Sequence, residues 1–100
     1  MSVYFIAQIT IKDTKEYQRY LDKSGAIFKR YNGTYLVVDD APEILEGTWD
    51  FTRTVVIKFI SGEDLKAWYY SKEYQEILKY RLNASSSNTI LAKGLDQANS

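Results

Sequence analysis

Residues 3–11, VYFIAQITI, place Val3, Phe5, Ala7, Ile9 and Ile11 on one side of an extended chain and Tyr4, Ile6, Gln8 and Thr10 on the other. Such a strand has one wholly apolar face, which must be covered, and one mixed face. The segment RTVVIKF at 53–59 has the same character, with Val55, Ile57 and Phe59 alternating with Thr54, Val56 and Lys58, and Ile60 following. Two strands of this kind belong at the centre of a sheet.

The segments between them supply the rest of the order. Asp13 and Glu16 in DTKE form a capping-box pattern that predicts a helix from Thr14. Tyr17, Leu21, Ser24, Phe28 and Tyr31 then recur at spacings of four and three, as one buried stripe requires. Asn32 and Gly33 end the helix, both able to take the left-handed conformation. TYLVVD is a second strand, DDAPE a turn around the only proline, EILEG a short hairpin arm, and TWDF a loop with two aromatic rings.

Ser61, with Asp64 three residues on, starts a second helix that turns Leu65, Trp68 and Tyr69 inward. Ser71 reads as a fresh N-cap, so that helix should break there and resume with Tyr74, Ile77, Leu78, Arg81 and Leu82 on one side. NASSSN is expected as a loop and TILAK as the last strand, giving one domain over 1–94. LDQANS, 95–100, is expected as a flexible tail.

The order strand, helix, strand, strand, helix, strand is that of the ferredoxin-like α+β fold, β-α-β-β-α-β, with an antiparallel sheet and both helices on one face. Its first and third strands lie side by side at the centre. The odd-numbered faces then take the helices. Tyr4, Ile6, Val56 and Ile60 on the other face form an apolar patch of the kind that marks a contact surface. A second copy of the sheet is the economical cover for so small a chain, and it encloses a cavity of mixed polarity.

Composition narrows the chemistry. Thirteen basic and thirteen acidic residues cancel, so the field that gathers nucleic acid or an anionic membrane is missing. The chain has no cysteine and no histidine, which excludes disulfides, thiolate or imidazole metal ligands and a Ser-His-Asp triad. No cofactor is expected. The opening residues resemble neither a signal peptide nor a membrane span, so a cytoplasmic location is expected.

YFIAQITIKD, YNGTYLV, APEILEGTW, RTVVIKF, AWYYSKEYQ, RLNAS and ILAKG, in that order and spacing, resemble the bacterial domain-of-unknown-function family thirteen-thirty of the dimeric α/β-barrel superfamily. The resemblance runs from Tyr4 to Gly94. It implies a homodimer paired sheet to sheet but no established activity; superfamily relatives include cofactor-free monooxygenases, haem enzymes and small isomerases. The family pattern has Arg-Gly-Gly where this chain has Val38-Asp39-Asp40, and glutamate where it has Lys58.

Candidate ligand-binding residues are Tyr4, Gln8, Trp49, Arg53, Thr54, Lys58 and Arg81. Lys58 is either an amine that grips an anion or forms a Schiff base, or an ordinary lysine reaching water or an acid such as Asp39 or Glu46. Tyr4, Gln8 and Thr54 can hydrogen-bond a substrate or one another, and Trp49 with Phe51 can roof a pocket or cover a core edge. Arg53 and Arg81 suit a carboxylate or an ion pair. Tyr74 and Tyr80 read as core and rim, and Asp39-Asp40 as turn residues. Two functions fit: a small-molecule binder or cofactor-independent enzyme with an open cavity, or a non-catalytic dimerisation module whose cavity is filled by side chains.

Overall fold

In the computed structural model, which describes residues 2–95, the elements are β1 (Val3–Ile11), α1 (Thr14–Lys29), β2 (Thr34–Asp39), β3 (Arg53–Phe59), α2 (Gly62–Tyr69), α3 (Lys72–Ala84) and β4 (Ser85–Lys93). The four strands form one antiparallel sheet in the order β2-β3-β1-β4. The expected ferredoxin-like arrangement is present, including the break in the second helical region. Of the tail expected at 95–100, residues 96–100 lie outside the described residues.

Side-chain alternation puts the core on one side of the sheet. Val3, Phe5, Ala7 and Ile9 of β1 and Val55, Ile57 and Phe59 of β3 are buried under the helices. Trp68, 1% exposed, sits among Phe5, Phe59 and Tyr74 with ring centroids 4.2–5.2 Å away. Aromatic packing of this density supplies much of a small core's hydrophobic area. The Cα envelope is 40 × 38 × 16 Å, too thin for a third layer, so the opposite sheet face carries no cover from the described residues.

Local signals set the helix ends. Asp13, Ser61 and Ser71 each accept a hydrogen bond from the amide three residues on, at 3.1 Å, satisfying a donor that the first helical turn leaves free. Of the two residues expected to end α1, Asn32 takes a positive φ, 66°, and Gly33 does not. Gly33 answers a different need: a Cβ there would lie 2.5 Å from Phe28 and 3.0 Å from Phe59, so the chain crosses the core edge only without a side chain.

Three expectations are corrected. EILEG is not a hairpin arm: residues 40–52 form no strand, and Ile44 and Leu45 are exposed, because no neighbouring strand offers them a ladder. Within NASSSN, Ser85–Asn88 belong to β4 rather than a loop; they pair in register with Ile11, Thr10, Ile9 and Gln8, and that ladder outweighs serine's poor strand preference. Leu82 is 58% exposed at the margin of the α3 stripe, and Ala84 completes the buried set instead.

β2 departs from simple alternation. Tyr35 pairs with Ile57 and Val37 with Val56, so Leu36 is an extra residue at a bulge. Residues opposed in a ladder share a face. Tyr35 therefore lies on the helix side, where its ring meets Phe28 edge-on at 4.4 Å, while Val37 lies on the open side.

Candidate functional site: a buried arginine–tyrosine cluster

Six of the seven sequence candidates divide between the two sides of the sheet, and Trp49 lies outside it. Tyr4, Gln8, Thr54 and Lys58 lie on the open face. The registers order that face into rows across the strands: Ala92, Tyr4, Lys58 and Thr34; then Ile90, Ile6, Val56 and Val37; then Asn88, Gln8, Thr54 and Asp39. An apolar row thus runs between two more polar ones. Lys58 neighbours Tyr4 and stands four residues, or ~13 Å, from Thr54, which is beside Gln8. Lys58 is exposed and forms no ion pair among the described residues.

Trp49 lies in the irregular segment after β2, packed edge-on against Phe51 at 6.1 Å. With Thr54, Pro42 and Ile44–Glu46 it borders an open groove of about 410 Å³. Gln8 and Lys58 do not line it. The end of this segment is tied to β1, where Thr52 donates its amide to the Ile9 carbonyl at 3.0 Å and the Thr10 hydroxyl donates to the Asp50 carbonyl at 3.2 Å.

Arg53 and Arg81 are on the other side, inside the layer between sheet and helices. Arg53 opens β3 with the same inward parity as Val55 and Ile57, and Arg81 sits on the inward stripe of α3 with Tyr74, Ile77 and Leu78. They are 8% and 2% exposed. Both line a partly open cavity of about 20 Å³ with Tyr17, Tyr20, Leu21, Tyr35 and the apolar side chains of β1 and β3. That volume holds roughly one water-sized group.

Tyrosines join the two guanidinium groups. The Arg53 guanidinium lies 5.8 Å from the Tyr17 ring centroid and that of Arg81 5.6 Å from Tyr20, with the two rings 5.7 Å apart. The hydroxyls of Tyr20 and Tyr74 share a 2.8 Å hydrogen bond. Arg81 Nη1 donates to Ser87 Oγ at 2.6 Å. Arg53 Nη1 donates to Asp40 Oδ1 at 2.7 Å, from a carboxylate that is 69% exposed at the rim. The Nε of each arginine is buried without a hydrogen-bond partner.

The protonation states follow from burial. Tyr17, Tyr20 and Tyr74 all titrate above the ordinary 10.0, first because burial disfavours the phenolate; the nearby arginines only partly offset this. They are neutral hydrogen-bonding groups at physiological pH. Burial is the largest influence and acts against the charge on both arginines, but Asp40 with Tyr17 and Tyr35 at Arg53, and Tyr74, Tyr20 and Tyr17 at Arg81, together outweigh it, so both keep their protons. Two cations therefore face one carboxylate.

Sequence reading singled out both arginines but not their convergence, nor Tyr17, Tyr20 and Ser87 as their partners. The signal was present: an arginine at an odd position of β3 and another on the apolar stripe of α3. Among the described residues, no group of three acidic side chains is arranged to hold a metal, and no helix is long and apolar enough to cross a membrane.

Several solved structures share the fold. A protein of unknown function from Rhodopseudomonas palustris is 18% identical, with a TM-score of 0.79 over 94% of this chain and 82% of that one. SnoaB, a cofactor-independent oxygenase from Streptomyces nogalater, is 15% identical, with a TM-score of 0.65 over 93% and 92%. A dimeric ferredoxin-like protein of unknown function from Jannaschia is 9% identical, with a TM-score of 0.70 over 94% and 100%. No curated protein matches the chain in sequence. The family described as "Domain of unknown function (DUF1330)" matches residues 2–95, and the chain belongs to it.

Proposed function

We propose that the protein is a homodimer that binds a compact organic molecule at the mouth of the arginine–tyrosine cavity between its sheet and helices, with one polar atom of the molecule in the cavity. The observation that carries this reading is the burial of two arginines and two tyrosines, Tyr17 and Tyr20, around one small void. Apolar residues of similar volume would stabilise the same space as well or better. A polar interior that costs stability is characteristic of a site kept for a ligand. With no histidine or cysteine and tyrosines held neutral, the site offers hydrogen bonds and positive charge rather than a nucleophile. Any reaction there would draw on the substrate's own reactivity, with the arginines stabilising developing negative charge. The oxygenase from Streptomyces nogalater, which needs no cofactor, is a fold-level precedent only.

The second copy belongs on the open face. Ile6, Val56, Val37 and Ile90 form a continuous apolar row there, and Ile90 and Val37 are 58% and 41% exposed. Covering each large side chain is worth about 1.5–3 kcal/mol. Lys58, Gln8 and Thr54 flank that row, so a partner sheet can bury it while the Lys58 ammonium still reaches water. Dimerisation of the Jannaschia protein supports this choice of partner.

Native mass spectrometry of freshly purified protein tests both parts. Two subunits with a co-purified small molecule are expected. A single-subunit particle would remove the dimer. Ligand capture that survives Ala7→Leu, which fills the cavity from β1, would remove the pocket.

A further inference from the structure

We infer that the ligand of this cavity carries a carboxylate, and that the carboxylate seats between Arg53 and Arg81. The inference rests on the pocket reading above and adds the chemical class of its occupant. It starts from charge. Asp40 answers Arg53, but among the described residues no acid is paired with Arg81, which is 2% exposed. A buried cation without an anion is costly, and the surrounding tyrosines are neutral. The missing partner is one negative charge.

Geometry narrows it further. The two unpartnered Nε groups belong to the two arginines that line the same void, and a guanidinium presents its donors in a fork matched to carboxylate oxygens. A void of about 20 Å³ takes one carboxylate oxygen, about the size of a water, so the rest of the group lies outside it. The rest of the molecule extends toward the rim at Leu21 and Tyr35, which are partly exposed, so an acid with an apolar body suits the opening. A doubly charged phosphate would overshoot the single unanswered charge.

Asp40 then acquires a role. It lies in the exposed segment 40–52, and its carboxylate occupies Arg53 from the rim side. It is a resident anion that repels an incoming one or yields Arg53 to it. Removing its charge should strengthen binding.

The test is calorimetric titration of the full chain with benzoate and with benzamide, its neutral counterpart. Benzoate is expected to bind and benzamide to bind roughly ten- to hundredfold more weakly. Arg81→Met should lose the preference for benzoate, and Asp40→Asn, a change on an exposed side chain, should bind benzoate several-fold more tightly. Equal binding of the two probes would overturn the carboxylate inference and leave the pocket standing. Binding of neither probe, to the natural chain or to Asp40→Asn, would overturn both. Benzoate binding undiminished in Arg81→Met would also overturn the inference. If Arg81→Met does not fold, the Asp40→Asn titration decides alone, and unchanged or weaker benzoate binding there counts against the site.

Discussion

Arg53 and Lys58 are basic residues on one strand, five positions apart, and they live in different worlds. Arg53 points into the helix layer, is paired with Asp40 and stacks against Tyr17; Lys58 points to the open face, is exposed and has no ion partner among the described residues. Strand parity alone separates them, because an odd step along β3 changes the face. A cation among apolar neighbours in sequence is therefore not a cation among apolar neighbours in space. The functional weight of a charged residue in a strand is decided by which layer its parity selects.

Substitutions along β3 test that separation. Phe59→Ala, at a position with no exposure, should cost about 3–5 kcal/mol in urea unfolding. A cost comparable to that of an open-face truncation would break the contrast between layers. Val56→Asp, on the central row of the open face, should convert a two-subunit particle to one subunit in size-exclusion chromatography and remove about 1.5–3 kcal/mol of interface burial. If the subunit count does not change, the open face is not the interface.

Alkaline titration sharpens the inner side. The buried tyrosines titrate above 10.0 in the fold, so the unfolded chain releases those protons first. Stability is then fully present below pH 10 and falls as pH rises toward the folded values, by about 1.4 kcal/mol per pH unit for each tyrosine involved. Circular dichroism with urea at pH 9 and pH 11 should show the loss, and Tyr20→Phe should reduce it. Lys58→Met should be the mildest change, within about 0.5 kcal/mol of the natural chain. A large destabilisation would mean that the ammonium has a partner that the separation of faces does not provide.

Most of the fold was legible because its signals are local. The alternation in 3–11 and 53–59, and the caps at Asp13, Ser61 and Ser71, act within a few residues and survive in the structure unchanged. The errors fall where tertiary pairing overrides local preference. Ser85–Asn88 look like a loop until β1 offers them a ladder, and Glu43–Gly47 look like a strand until no neighbour appears. The site was half legible for the same reason. Sequence reading can place Arg53 and Arg81 on inward faces, but that they border one void depends on how α3 packs over the sheet, which no spacing encodes.

The bulge at Leu36 has a consequence for how this chain can tolerate change. One surplus residue works as a phase converter, sending Tyr35 toward the helices and Val37 toward the open side. Deleting Leu36 would re-clock one half of the strand, withdrawing either the Tyr35 ring from the cavity rim or Val37 from the opposite surface. Length variation should therefore be absorbed in the irregular stretch 41–49, between the Asp40–Arg53 pair and the bonds that tie Asp50 and Thr52 to β1.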